Sequence, residues 1–306
     1  MKAGLAMAAL VTAGAALAAQ PAAGFRLYAG PGAAALVSQG LLAPPPADLT
    51  GFEAVPAPGL RSVRNDAQAT VAPWVDSNGW RFARGLSRAS YEKLPAGASL
   101  LAAAEAFAFG VEAVINPDDA DVDELGRLVA FLNAHGRPAM PPIANVGVVD
   151  DDSPEMGEVL NMLTRRNILY RVVPQGDRSQ LVTVEAGTPP FPRDALRNPS
   201  DFAARVREAL GDDRRSVRVY GTSTVIARLT GDATRLRLHL LSYSRNRRQS
   251  DVRVRVLGRY QPSSVAAFGL SADAALADVR HPENAAVEFS VPAFSTIAIV
   301  DLDPRR

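Results

Sequence analysis

Asn145-Val146-Gly147-Val148-Val149-Asp150-Asp151-Asp152-Ser153-Pro154-Glu155 is the stretch on which the fold turns. Ile143 to Val149 is a short apolar run rich in valine, which predicts a buried strand. Three acids and a serine then lead into Pro154. Ser153 suits the N-cap of a helix, Pro154 its first turn, and the carboxylates its positive end. The spacing predicts a helix over 154–166 and a further strand from Ile168 to Val173. Strand, acidic turn, helix, strand is a βαβ unit, the signature of a parallel α/β sheet.

Working outward toward the amino terminus, Asp121 to Ala134 predicts a helix with Val122, Leu125, Leu128, Val129 and Leu132 on one face, ended by His135-Gly136. Ala98 to Val114 predicts another, with Leu100, Leu101, Ala104, Phe107 and Val111 at helical spacing. Residues 20–72 are punctuated by Pro44-Pro45-Pro46 and Pro56-Ala57-Pro58-Gly59, and read as an extended lead-in with one short helix at 32–42. Toward the carboxyl terminus, 175–215 read as a connector with one amphipathic helix, Pro199 to Leu210, capped by Asn198.

Beyond Arg215 the hydrophobic period changes to two. Val217 to Leu229, a Gly231-Asp232 turn and Arg235 to Tyr243 predict a hairpin, and Val252 to Tyr260, Ala286 to Val291 and Ser295 to Leu302 add strands. Together they predict a small antiparallel β-sandwich. Leu236, Leu238 and Leu240 alternate with Arg235, Arg237 and His239, so one face is expected to be Arg-rich and solvated. The expected fold class is α/β followed by all-β: an α/β domain over 73–195, a connector with one helix over 196–215, and the sandwich over 216–304.

Composition narrows the function. The chain has 306 residues, 33 Lys+Arg against 32 Asp+Glu, and no cysteine. Without cysteine it is neither a disulfide scaffold, a thiol enzyme nor a Cys-ligated metal protein. A net charge of +1 gives no field to hold a polyanion, so nucleic acid is excluded as an expected partner. Only Lys2 and Lys93 are lysines, which removes most Schiff-base and P-loop chemistry. Residues 1–19 combine Lys2, an apolar stretch from Ala3 to Leu17 and a small-residue end, the pattern of a secretory signal. A periplasmic or secreted protein with no membrane span is therefore expected, and no cofactor is implied.

Three places carry candidate chemistry. Trp74, Asp76, Asn78, Trp80 and Arg81 fall within eight residues and include both tryptophans of the chain. Indoles stack on the apolar faces of sugars while carboxylate, amide and guanidinium groups bond their hydroxyls. The same residues also suit core anchors around an Asn-Gly turn. Asp150, Asp151 and Glu155 lie at the carboxyl end of a predicted parallel strand, where open α/β sheets bind ligands, though such a run also simply caps a helix. Glu105 interrupts an apolar helix, where a carboxylate must be paired, face a cleft or lie on an exposed stripe. Asp76, Glu105 and Asp150 are thus the candidate catalytic acids, and Trp74, Asn78, Trp80, Arg81, Asp151 and Glu155 the candidate substrate-binding residues. His135, His239 and His281 are the only histidines and are far apart, so no metal site is expected.

The strand Asn145 to Asp150 entering a helix at Pro154, with Leu238-His239-Leu240-Leu241-Ser242-Tyr243 and Val252 to Tyr260 closing the chain, resembles part of the bacterial β-galactosidase-like glycoside hydrolases. The resembling part is their glutamine-amidotransferase-like α/β domain and small terminal β-domain, over about residues 145–303. The resemblance implies a sugar as ligand and a domain without amidotransferase activity, since there is no nucleophilic cysteine. A complete catalytic barrel of about 250 residues does not fit ahead of residue 145, so residues 60–135 are its expected remnant. The leading expectation is a secreted carbohydrate-associated protein binding a sugar or glycan through an aromatic and acidic cleft. An active glycosidase using a carboxylate pair, and a structural protein that assembles or forms homo-oligomers through its sandwich, are the alternatives.

Overall fold

The computed structural model describes residues 25–61, 74–91, 93–232, 234–245, 247–269 and 275–305. The expected signal, residues 1–19, lies outside them. The amino-terminal half is built on a four-stranded parallel sheet of β1 (Arg26–Ala29), β2 (Glu53–Ala54), β5 (Arg88–Tyr91) and β6 (Glu112–Ile115), in the order β1-β6-β5-β2. Between them lie α1 (Ala34–Ser38), the antiparallel pair β3 (Gly59–Arg61) and β4 (Trp74–Asp76), α2 (Gly79–Ala83) and α3 (Ser99–Phe109). Helix α4 (Val122–Ala134) follows β6.

Two readings change here. The 20–72 stretch supplies β1, β2 and β3 rather than only a lead-in and a helix. These strands are two to four residues long, too short to show a period, and their prolines lie beside them in the chain. The helix expected over 98–114 stops at Phe109, because Gly110 takes φ 68°, the left-handed conformation that ends helices, and frees Glu112–Ile115 to pair with β5 and β1.

The βαβ unit forms as expected. β7 (Val146–Val149) and β8 (Tyr170–Val172) pair in parallel around α5 (Pro154–Arg165), and Ser153 Oγ accepts from Met156 N at 3.1 Å as the N-cap. A strand in the region expected as connector, β9 (Val182–Glu185), pairs in parallel with the other edge of β7. α6 (Pro199–Leu210) follows, capped by Asn198, whose Oδ1 accepts from Asp201 N at 3.3 Å.

The carboxyl-terminal third is a sandwich of two four-stranded sheets. One orders β10 (Val217–Tyr220), β13 (Arg253–Leu257), β16 (Ala286–Ser290) and β15 (Ala277–Arg280). The other orders β11 (Val225–Gly231), β12 (Leu236–Ser242), β17 (Ile297–Pro304) and β14 (Tyr260–Ala267). Val225 to Leu229 and Ser242 to Leu238 are in register across the predicted hairpin, but β10 crosses to the facing sheet. The face carrying Arg237 and His239 is not solvated: the two residues are 4% and 5% exposed. It packs on the α/β half, sharing one apolar cluster in which Ile226, Leu241, Ile297 and Ile299 meet helices α3 and α4. β11, β12 and β17 are therefore covered on both faces, which explains continuous apolar runs such as Ile297 to Val300.

Arg237 fixes this contact. It pairs bidentately with Asp301 at 2.7 and 2.8 Å and donates to the His135 carbonyl at 2.7 Å, beyond the end of α4. Asn167, held at φ 53°, adds a second tie through Ala227 N and the Val225 carbonyl of β11.

Candidate functional site

Trp74 to Arg81 is a strand, a turn and a helix. Trp74 and Asp76 belong to β4, and the Asn78 carbonyl accepts from the backbone of Arg81 and Phe82 to start α2. A Cβ on Gly79 would lie 2.5 Å from the Phe109 ring, so glycine is what allows α2 to touch α3.

Glu105 lies beneath this turn and is 0% exposed. Its Oε1 accepts from Ser77 Oγ at 2.8 Å, Asn78 N at 2.8 Å and Tyr243 OH at 2.5 Å. Its Oε2 accepts from Asn78 Nδ2 and Tyr91 OH, both at 3.1 Å. Burial pushes the Glu105 carboxyl above its ordinary range, against the opposing pull of these donors. Burial and the neighbouring carboxylate push the Tyr91 and Tyr243 phenols well up. Five donors fill the lone pairs of a carboxylate, so Glu105 ties α3, the β4–α2 turn, β5 and the end of β12 together. A group so enclosed has no face left for a substrate.

Asp150 follows β7 directly and is likewise held: Arg84 Nε and Nη2 donate to it at 2.6 and 2.8 Å, and the same guanidinium reaches the Ser153 carbonyl at 3.0 Å. Asp151 accepts from Ser153 Oγ at 2.6 Å, from Ser153 N and from Arg193. The serine contact, ahead of the arginine, holds its carboxyl below the usual range. Glu155 is exposed in the first turn of α5.

The two segments singled out in the sequence thus meet along the seam between α2 and α5. The Arg165 guanidinium lies 3.9 Å from the Trp74 ring centre, and Arg81 and Arg84 lie 4.2 and 5.3 Å from that of Trp80. Both indoles are half-buried against the cluster around α5. Asp76 and Glu158 both act electrostatically on Arg81 and Arg165, so the seam presents two indoles, carboxylates and guanidinium groups together.

Arg84, Glu158 and Arg165 are not among the site residues expected from sequence. Arg84 follows Trp80 by four residues, the spacing that places two side chains on one helical face, and Gly157 inside α5 marks a close approach. A cavity of about 700 Å³ lies elsewhere, under β11 and β12, and none of the candidate catalytic or substrate-binding residues lines it. Among the described residues, no group of three or more His, Asp or Glu is arranged to hold a metal, and no helix is long and apolar enough to cross a membrane.

No protein-family model matches the chain, and no curated protein does. Among solved structures it is similar to the α-L-fucosidase isoenzyme 2 from Paenibacillus thiaminolyticus, at a TM-score of 0.51 and 11% identity, over 71% of this chain and 60% of that one. The chain therefore spans less than two thirds of the enzyme it matches. The α-amylase from H.orenii aligns over 74% of this chain and 50% of its own, at 9% identity and a TM-score of 0.20, too low to bear on the fold. The structural neighbours are glycoside hydrolases at low identity, and the fucosidase likeness concerns fold.

Proposed function

We propose that this is a secreted carbohydrate-associated protein, exported by residues 1–19, that binds a sugar or glycan at the α2–α5 seam. The observation that carries the reading is the convergence of half-buried Trp74 and Trp80 with Asp76, Arg81, Glu158 and Arg165 on one seam of a chain folded like a glycosidase. An indole is an apolar platform, and here a guanidinium already uses each one. A partly exposed contact of that kind contributes only about 0.5–1 kcal/mol, so a sugar ring displaces it at low cost. The carboxylates and displaced guanidinium groups then serve as partners for the sugar hydroxyls. The three-stranded β8-β7-β9 sheet with α5 and α6 supports kinship with the amidotransferase-like domain of β-galactosidase-like enzymes, as a binding module.

Catalysis by a carboxylate pair is the weaker reading. Glycoside hydrolysis needs two carboxyl groups facing one bond, whereas Glu105 is saturated by donors and Asp150 is locked by Arg84. The test is tryptophan fluorescence of the mature protein titrated with a panel of neutral and acidic oligosaccharides. A saturable change that Trp80→Ala abolishes, in a variant that keeps its far-ultraviolet spectrum, supports the seam. No response across the panel overturns it.

A further inference from the structure

The cavity under β11 and β12, open to solvent on one side, has a volume of about 700 Å³, within the roughly 300–1,000 Å³ of small-molecule sites. Phe25, Leu27, Phe107, Phe109, Val129 and Leu132 give it apolar walls, and the sheet supplies Arg228, Thr230, Arg237 and His239. Arg26 and Arg137 also line it, and its described lining contains no carboxylate. Four arginines, one of them paired with Asp301 behind the lining, make an electropositive chamber with greasy walls.

The arginines are not equivalent. Arg237 is neutralised by Asp301. Arg228 stacks on Phe109, 4.3 Å from the ring centre, and its buried Nε has no hydrogen-bond partner. Among the described residues no acid forms an ion pair with it. Burial pulls Arg228 down to about 10, which still leaves it a cation at neutral pH. Directly across the strand register stands His239, whose Nδ1 is buried without a partner and which burial holds neutral, down to about 3. Arg228 as a whole is half-buried, but a guanidinium with an enclosed, unpartnered Nε and no counter-charge is costly, and so is an orphaned ring nitrogen.

We propose that this cavity is a binding site for an organic monoanion with an apolar body, an aryl or medium-chain carboxylate, whose headgroup pairs with Arg228 and whose body lies against Phe107, Phe109 and Leu132. The apolar walls select against phosphate and free sugar; Arg26 and Arg137 are exposed at the rim and Arg237 is paired, so Arg228 is the guanidinium inside that matches a single negative charge. The site is separate from the α2–α5 seam, so sugar binding there and anion binding here stand or fall independently.

The test displaces anilinonaphthalene sulfonate, an apolar monoanion whose fluorescence rises in dry pockets, from the mature protein. Naphthoate and decanoate compete as aryl and alkyl sources, and naphthamide and decanamide serve as uncharged isosteres. The proposal expects at least one carboxylate to displace the probe about tenfold or more better than its amide. Arg228→Met should abolish that preference while leaving amide affinity and the melting temperature equal or raised, since it removes a half-buried charge with no counter-charge. Equal displacement by acid and amide, no probe binding, or an acid preference retained in Arg228→Met overturns it. The comparison of acid with amide in the unaltered protein decides the matter even where the variant does not fold.

Discussion

Glu105 meets five donors and, among the described residues, forms no ion pair, and its two oxygens are not equivalent. Oε1 gathers Ser77, the Asn78 backbone and Tyr243, while Oε2 takes Asn78 Nδ2 and Tyr91. In Glu105→Gln the amide oxygen can keep the first set and Tyr91 can turn to accept from the new NH₂, leaving Asn78 Nδ2 opposed. A loss of about 1–2 kcal/mol is expected, against about 3–5 kcal/mol for Glu105→Ala, which strands the whole donor set. The pH dependence separates the charge from the packing. Because burial raises this carboxyl, the folded chain holds its proton to higher pH than the unfolded chain. Its contribution is therefore full below the ordinary carboxylate range and lost as pH rises through the raised value. Denaturant unfolding across mildly acidic to neutral buffers should show that slope in the parent and a flatter one in Glu105→Gln. Identical slopes would mean that Glu105 does not titrate differently on folding. The anomaly of an acid in an Ala-rich helix was legible in the sequence. Its partners were not, since Tyr91 and Tyr243 stand 14 and 138 residues away and no local pattern links a helix to the end of a distant strand.

Elements that carried their own stop and start signals were the legible ones. Ser153-Pro154 and Asn198-Pro199 placed α5 and α6, whereas β1, β2 and β9 are too short to show a period, and Gly110 hid a strand inside what read as one helix. How helices meet depends on single small residues, and Gly157 is the clearest case. A Cβ there would stand 3.0 Å from Trp80 Cζ3 and 3.1 Å from Arg84 Nη1, so α5 approaches α2 only because the side chain is missing. Two effects then compete in Gly157→Ala. Helix propensity favours alanine by about 1 kcal/mol, and overpacking costs about 1–3 kcal/mol. The crowding should win, giving a net loss of about 1 kcal/mol. In a Trp80→Leu background the indole is gone and Arg84 Nη1, which makes none of the hydrogen bonds to Asp150 or Ser153, can give way, so the same substitution should stabilise. A double-mutant cycle by chemical unfolding reads the reversal directly, and a stabilising effect in both backgrounds would show that the indole does not press on α5.

At the scale of the molecule, the sandwich is not an appendage with a solvated outer face. Its β11-β12-β17 face is the second wall of the amino-terminal core, and this explains why residues with a polar appearance, Arg237 and His239, are enclosed there and Arg228 is half-buried. The sequence carried a sign of this in Val225-Ile226-Ala227 and Ile297-Ala298-Ile299-Val300, runs without alternation that suit strands covered on both faces. The alternating arginines masked it, because a buried ion pair and a solvated one look alike until the partner, Asp301 in β17, is brought alongside. Such an architecture should unfold as one unit. Asp301→Asn leaves the Arg237 charge enclosed without its counter-charge, against a shared apolar core, and should cost about 3–5 kcal/mol. Both tryptophans sit in the amino-terminal half, so their fluorescence reports that half, while the β-signal of far-ultraviolet circular dichroism is dominated by the sandwich. If the halves share one core, both signals shift to lower denaturant together and remain superimposed in Asp301→Asn. If the β-signal alone shifts, Arg237 and Asp301 stabilise only the sandwich, and the contact through the His135 carbonyl does not couple the halves.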